Sequence, residues 1–169
     1  MLASSTDNLH HTWLVEYGAE AFPIYQDILG NTESEPDVIA GVISVLSDVD
    51  APKRQFRELV VPYLSHKDDG VRYTSVFLMK QIGTREEASI LVALLSDTDK
   101  LVRYEAAEAL AVIGSQRELT AMDAWLLAGT ARRENKHHLE HVKKCRDKLE
   151  KRLKEAAKPK DARSNPFSH

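Results

Sequence analysis

One cysteine, Cys145, stands in a chain of 169 residues, so no internal disulfide can form. Stability must come from packing, and a reducing compartment is expected. Glycine is sparse, at 7 residues, and no Gly-rich phosphate loop, CxxC pair or GxSxG elbow occurs. Nucleophilic catalysis thus has no motif to rest on, and the chain is expected not to be an enzyme. The longest apolar stretch, Val38 to Leu46, is broken by Gly41 and Ser44 and is too short to span a bilayer. The first residues, MLASSTDNLHHTW, carry neither a basic n-region nor an apolar h-region. A cytoplasmic protein without a membrane partner is the expectation.

What the chain does have is a repeat. Residues 64–83 read LSHKDDGVRYTSVFLMKQIG, and residues 95–114 read LSDTDKLVRYEAAEALAVIG. Leu64 aligns with Leu95, Asp68 with Asp99, Val71-Arg72-Tyr73 with Val102-Arg103-Tyr104, and Ile82-Gly83 with Ile113-Gly114. Each offset is 31 residues. A fixed period of this size marks stacked supersecondary units, none of which can bury its apolar face alone.

Each unit reads as two helices. Thr84 to Glu87 form a capping box, after which Ala88 to Leu95 follow as a first helix. Asp99 is placed to cap a second helix over Lys100 to Ile113, where Val102, Ala106, Leu110 and Ile113 recur at helical spacing. Gly114 is expected to end it in a left-handed conformation. The unit before has helices over Gln55 to Leu64, with Pro62 near the end, and over Gly70 to Ile82. Upstream, Ala21 to Leu29 and Asp37 to Leu46 suit a weaker pair. Downstream, Leu119 to Leu127 is followed by a turn at Gly129-Thr130 and a long charged helix over 132–156. Leu139, Val142, Cys145, Leu149 and Leu153 give that helix one apolar stripe, as a terminal cap requires.

The run from Leu94 to Gly114 resembles a HEAT repeat, most of all the short subtype first associated with phycobilin lyases. Asp99, Val102, Arg103, Ala106, Ala107, Leu110, Ile113 and Gly114 stand where that pattern expects them. In residues 64–83 the match is partial, since Ser75-Val76 replaces the paired alanines. The resemblance covers about residues 20–130. It implies an all-α fold, a short right-handed α-solenoid of about four helical hairpins. It also implies structural roles for Asp68 and Asp99 as caps, and for Arg72 and Arg103 as a ladder to the neighbouring repeat. It implies no catalytic residue and no cofactor.

The expected organisation is an N-terminal segment over 1–18, partly disordered, and a repeat domain over 19–156. Its units fall at 19–50, 53–83, 84–114 and 115–156, and 157–169 form a disordered tail. The second helices of such a stack line a concave groove. Tyr73, Thr74, Phe77 and Lys80 face outward there, and one repeat on they become Tyr104, Glu105, Glu108 and Ala111. Two tyrosines and an outward Phe would form an aromatic strip suited to a protein partner.

Two other chemistries compete. His137, His141 and Cys145 follow one another at i, i+4 and i+8, but the stripe is about 11 Å long, too long for one ion to reach all three. No metal is expected there. Residues 132–169 carry 13 Lys/Arg against 6 Asp/Glu, whereas residues 1–131 carry 10 against 20. A basic tail can seek nucleic acid, but the acidic body repels phosphate and the basic helix is laced with Glu. The favoured function is a non-catalytic adaptor or scaffold with a protein partner. An accessory protein or subunit of a phycobilin (tetrapyrrole) lyase is the alternative, with nucleic-acid binding through the basic helix a further one.

Overall fold

The computed structural model describes residues 18–31, 34–48, 53–131 and 135–158, and these are helical apart from short connections. A 3-10 turn, Gly18–Ala21, leads into α1 (Phe22–Gly30) and α2 (Pro36–Asp48). Helix α3 (Lys53–Val60) runs into a second 3-10 turn, Val61–Ser65, and α4 (Asp69–Ile82) follows. Then come α5 (Arg85–Leu94), α6 (Lys100–Ile113), α7 (Gln116–Ala131) and α8 (Lys136–Ala157). Of the expected N-terminal segment (1–18) and tail (157–169), residues 1–17 and 159–169 lie outside the described residues, as does the expected helix start at 132–134, while Ala157 still belongs to α8.

The helices pair as first and second members. Helix α1 packs on α2, α3 with its 3-10 extension on α4, α5 on α6, and α7 on α8. The second members also pack in sequence, α2 on α4, α4 on α6 and α6 on α8. The repeat explains why. Leu64 and Leu95, Val71 and Val102, and Met79 and Leu110 are equivalent pairs, and all six side chains are fully buried. A fully buried side chain of this kind contributes about 1.5–3 kcal/mol. Ser75, which replaces the first alanine of the pair, is also fully buried and donates its hydroxyl to Val71 O at 2.7 Å. Burial therefore leaves no unsatisfied hydroxyl.

Capping fixes the helix starts. Asp68 accepts from Val71 N at 3.1 Å, and Asp99 from Leu101 N at 2.7 Å and Val102 N at 3.0 Å. At Thr84 the backbone N–H donates to Glu87 at 2.7 Å, while the Thr hydroxyl accepts from Glu86 N at 3.3 Å. Ser115 and Glu118 repeat the first of these bonds at 2.9 Å. Burial alone would raise the Glu118 carboxyl, but the Ser115 hydroxyl and amide hold it below the usual range.

Two local expectations need correction. Gly114 and its equivalent Gly83 are not left-handed: their φ, ψ are −60°, 158° and −65°, 160°, an extended backbone. Glycine is required there by space. A Cβ on Gly114 would fall 2.5 Å from Leu110 O, and one on Gly83 would fall 2.4 Å from Met79 O. Those carbonyls are held close because each accepts from the glycine N–H, at 2.9 and 2.8 Å. Gly129-Thr130 is not a turn, since α7 continues through both to Ala131. Packing on α8 and α5 outweighs the roughly 1 kcal/mol cost of an internal glycine. At Pro62 the end of the first helix tightens to 3-10 geometry from Val61 onward, as the loss of one amide near the last turn allows.

Candidate functional site

Arg72 lies at the joint between two repeats. Its Nε and Nη2 donate to the two carboxylate oxygens of Asp97 at 2.8 and 2.7 Å, a planar fork. Its Nη1 donates to His66 O and Lys67 O at 2.8 and 3.0 Å. One guanidinium thus ties the turn before α4 to the turn before α6. Burial would raise the Asp97 carboxyl, but the bonds from Arg72 and from Asp99 N–H hold it below the usual carboxylate range. Arg103 keeps the local half of this pattern, with Nη1 on Asp97 O and Thr98 O at 2.8 and 3.0 Å. The position 31 residues after Asp97 is Ala128, so the carboxylate half has no counterpart. Asp97 has its own equivalent in His66. Each accepts the amide two residues on, Asp99 N at 2.8 Å and Asp68 N at 3.1 Å.

The outward residues of α4 and α6 divide into an open and a covered half. On α4, Phe77 is 37% exposed, and the Lys80 ammonium lies 5.0 Å from its ring centre. Tyr73 is half-buried against the core, and Thr74 turns its hydroxyl back to Gly70 O and Val71 O. On α6, Glu105 pairs with Lys80 across the two helices. Tyr104 does not join an aromatic strip with Tyr73 and Phe77. Its ring stacks on His141 of α8, with centroids 4.4 Å apart, and lies 5.4 Å from His138.

Glu108, the equivalent of Phe77, also faces α8. Both its oxygens lie 3.2 Å from Lys148 Nζ, and Oε1 lies 3.5 Å from Cys145 Sγ and 3.8 Å from His141 Nε2. Burial would raise its carboxyl, but Lys148 holds it below the usual range. Burial first, and the Glu108 charge second, push the Cys145 thiol up to about 12. His137 is exposed and stands apart from this group. The buried neighbour His138 instead bonds Leu95 O at 3.1 Å and meets the edge of Trp125, whose Nε1 donates to Ser96 at 2.8 Å.

Two exposed apolar residues lie outside the expected groove set. Leu101 and Val112 lie one turn beyond Glu105 and Glu108 on α6, and are 54% and 50% exposed. Their spacing on the same helical stripe was the available signal. Glu108 was seen only as a groove residue, because nothing in the local pattern tells that α8 returns over it.

A family model described as HEAT repeats matches residues 57–137. That segment is similar to HEAT repeats. The match runs from α3 to the first turn of α8, and so includes both copies of the 31-residue period. No curated protein matches the chain.

Proposed function

We propose that the chain is a non-catalytic adaptor: a short right-handed solenoid of four HEAT-type hairpins, cytoplasmic, that docks a protein partner on the face formed by α4 and α6. The observation that carries this reading is Phe77. It stays 37% exposed at the repeat position where the next unit has Glu108 tied to Lys148 of α8, and Leu101 and Val112 add exposed apolar surface on α6. An aromatic ring with a cation over it, and a part-buried Lys80–Glu105 pair, suits the centre of a protein interface.

The charges of α8 favour this reading over nucleic acid. Arg146 bridges Asp123, Asp147 and Glu150, Lys148 holds Glu108, and Arg152 donates to Ala111 O and Gly114 O. Side chains engaged in this way release few counterions on meeting phosphate. The tetrapyrrole-lyase subtype is the competing reading, and bilin absorbance copurifying with the chain would mark it.

The test is a titration of a partner captured by wild-type protein against Phe77→Ala and Leu101→Ala/Val112→Ala. These positions are exposed, so the variants should keep wild-type helicity. Affinity should fall at least tenfold. Unchanged affinity in both variants would refute this docking face.

A further inference from the structure

The geometry points to a zinc site formed by Glu108 of α6 with His141 and Cys145 of α8. The three ligand atoms form a triangle. His141 Nε2 to Cys145 Sγ is 3.6 Å, Cys145 Sγ to Glu108 Oε1 is 3.5 Å, and Glu108 Oε1 to His141 Nε2 is 3.8 Å. A tetrahedral zinc at ordinary bond lengths to N, S and O needs edges of about 3.4–3.6 Å. Two edges fit as they stand, and the third must close by a few tenths of an ångström. The ion therefore needs no movement of either helix.

The third ligand of this site does not come from α8, so the length of the His137–Cys145 stripe does not limit it. His137 would have been two turns from Cys145, whereas Glu108 reaches in from the facing helix. A thiolate, an imidazole and a carboxylate are a borderline-soft set, which suits zinc over calcium or magnesium. Neutral imidazole with two anionic ligands balances a dication in a site where Cys145 is fully buried and Glu108 and His141 are partly exposed.

Binding has defined local costs. The Cys145 thiol now donates to Glu108 and must release its proton to solvent as the Zn–S bond forms. His141 Nε2 lies 3.3 Å from Tyr104 O, so its tautomer must place the proton on Nδ1 to free the Nε2 lone pair. Lys148 must leave Glu108, and its side chain is 60% exposed and has room to do so. Such an ion would clamp the last helix to the third repeat.

The experiment adds cobalt(II), then zinc(II), to the reduced, chelator-treated full-length chain. One equivalent of cobalt should give a near-ultraviolet thiolate-to-cobalt band with strong tetrahedral visible bands, and zinc should displace it. Cys145→Ser should abolish the thiolate band, and Ser can still donate to Glu108, so the fold is kept. Glu108→Gln and His141→Gln should weaken zinc at least 100-fold. His137→Gln should leave affinity unchanged, and Lys148→Met should strengthen it severalfold. Absence of the thiolate band in the folded wild type would overturn the site. So would equal loss from His137→Gln and His141→Gln, which would mark a surface histidine pair instead.

Discussion

Arg72 and Arg103 occupy the same repeat position with different surroundings, so their truncation is an internally controlled experiment. Arg72→Ala removes a two-bond fork to Asp97 and two bonds to carbonyls; Arg103→Ala removes only the two carbonyl bonds. The shared carbonyl part is worth about 1 kcal/mol, because water replaces part of each bond. The fork is worth more, since its loss leaves the Asp97 carboxylate, only 6% exposed, without its cation. Breaking a buried pair from one side costs about 3–5 kcal/mol. Asp97 keeps the Asp99 N–H, so about 2–4 kcal/mol is the expectation for Arg72→Ala. Urea denaturation followed by far-ultraviolet circular dichroism measures both variants. A midpoint shift for Arg72→Ala at least twice that for Arg103→Ala is expected. Arg72→Ala/Asp97→Ala should recover part of the loss, because the stranded charge is gone. Equal destabilisation by the two arginine variants would refute the view that the Asp97 fork holds the repeats together.

The same carboxylate sets a pH dependence. Asp97 is depressed when folded, so its contribution is complete above the ordinary Asp pKa of about 4 and is lost as pH falls below it; Asp97→Asn should flatten the acid limb of a stability profile. Gly83→Ala and Gly114→Ala should each cost about 2–4 kcal/mol in thermal or urea unfolding, since the new methyl meets a backbone carbonyl that cannot turn aside. A cost below about 0.5 kcal/mol would show that the helix ends relax freely. Ser115→Ala should cost about 1 kcal/mol by the same assay through loss of the Glu118 capping contact.

The 31-residue period made the interior legible, because a residue that recurs in two units faces the same way in both. Leu64 and Leu95, or Val71 and Val102, could be placed in the core from their spacing alone. The helix ends followed from Asp68, Asp99 and Thr84, whose side chains satisfy amides only at an N-terminus. Gly114 shows the limit of such reading. A helix-terminal glycine has two physical explanations, a left-handed backbone or lack of room for a Cβ, and only coordinates separate them. Gly129 shows another, since packing on α8 carries the helix through a residue that punctuates it locally.

The site was less legible because it depends on contacts across helices, where the repeat breaks its own rule. Phe77 and Glu108 are the same position, and a stack of identical units would give both the same environment. They differ because α8 is not another copy. It is longer, it brings His141 and Lys148 over α6, and it turns Tyr104 and Glu108 from groove into joint. The open face of α4 and the metal-ready cluster between α6 and α8 therefore have one cause, the ending of the repeat. If α8 covers these residues as described, Tyr104→Ala should destabilise the chain by about 1–3 kcal/mol, since two imidazoles lose the ring on which they pack. Phe77→Ala should cost less, about 1 kcal/mol, as 37% of the residue is already exposed. Urea unfolding of the two variants decides the matter: equal costs would mean that the two units share one environment, and the division into an open and a covered half would fall.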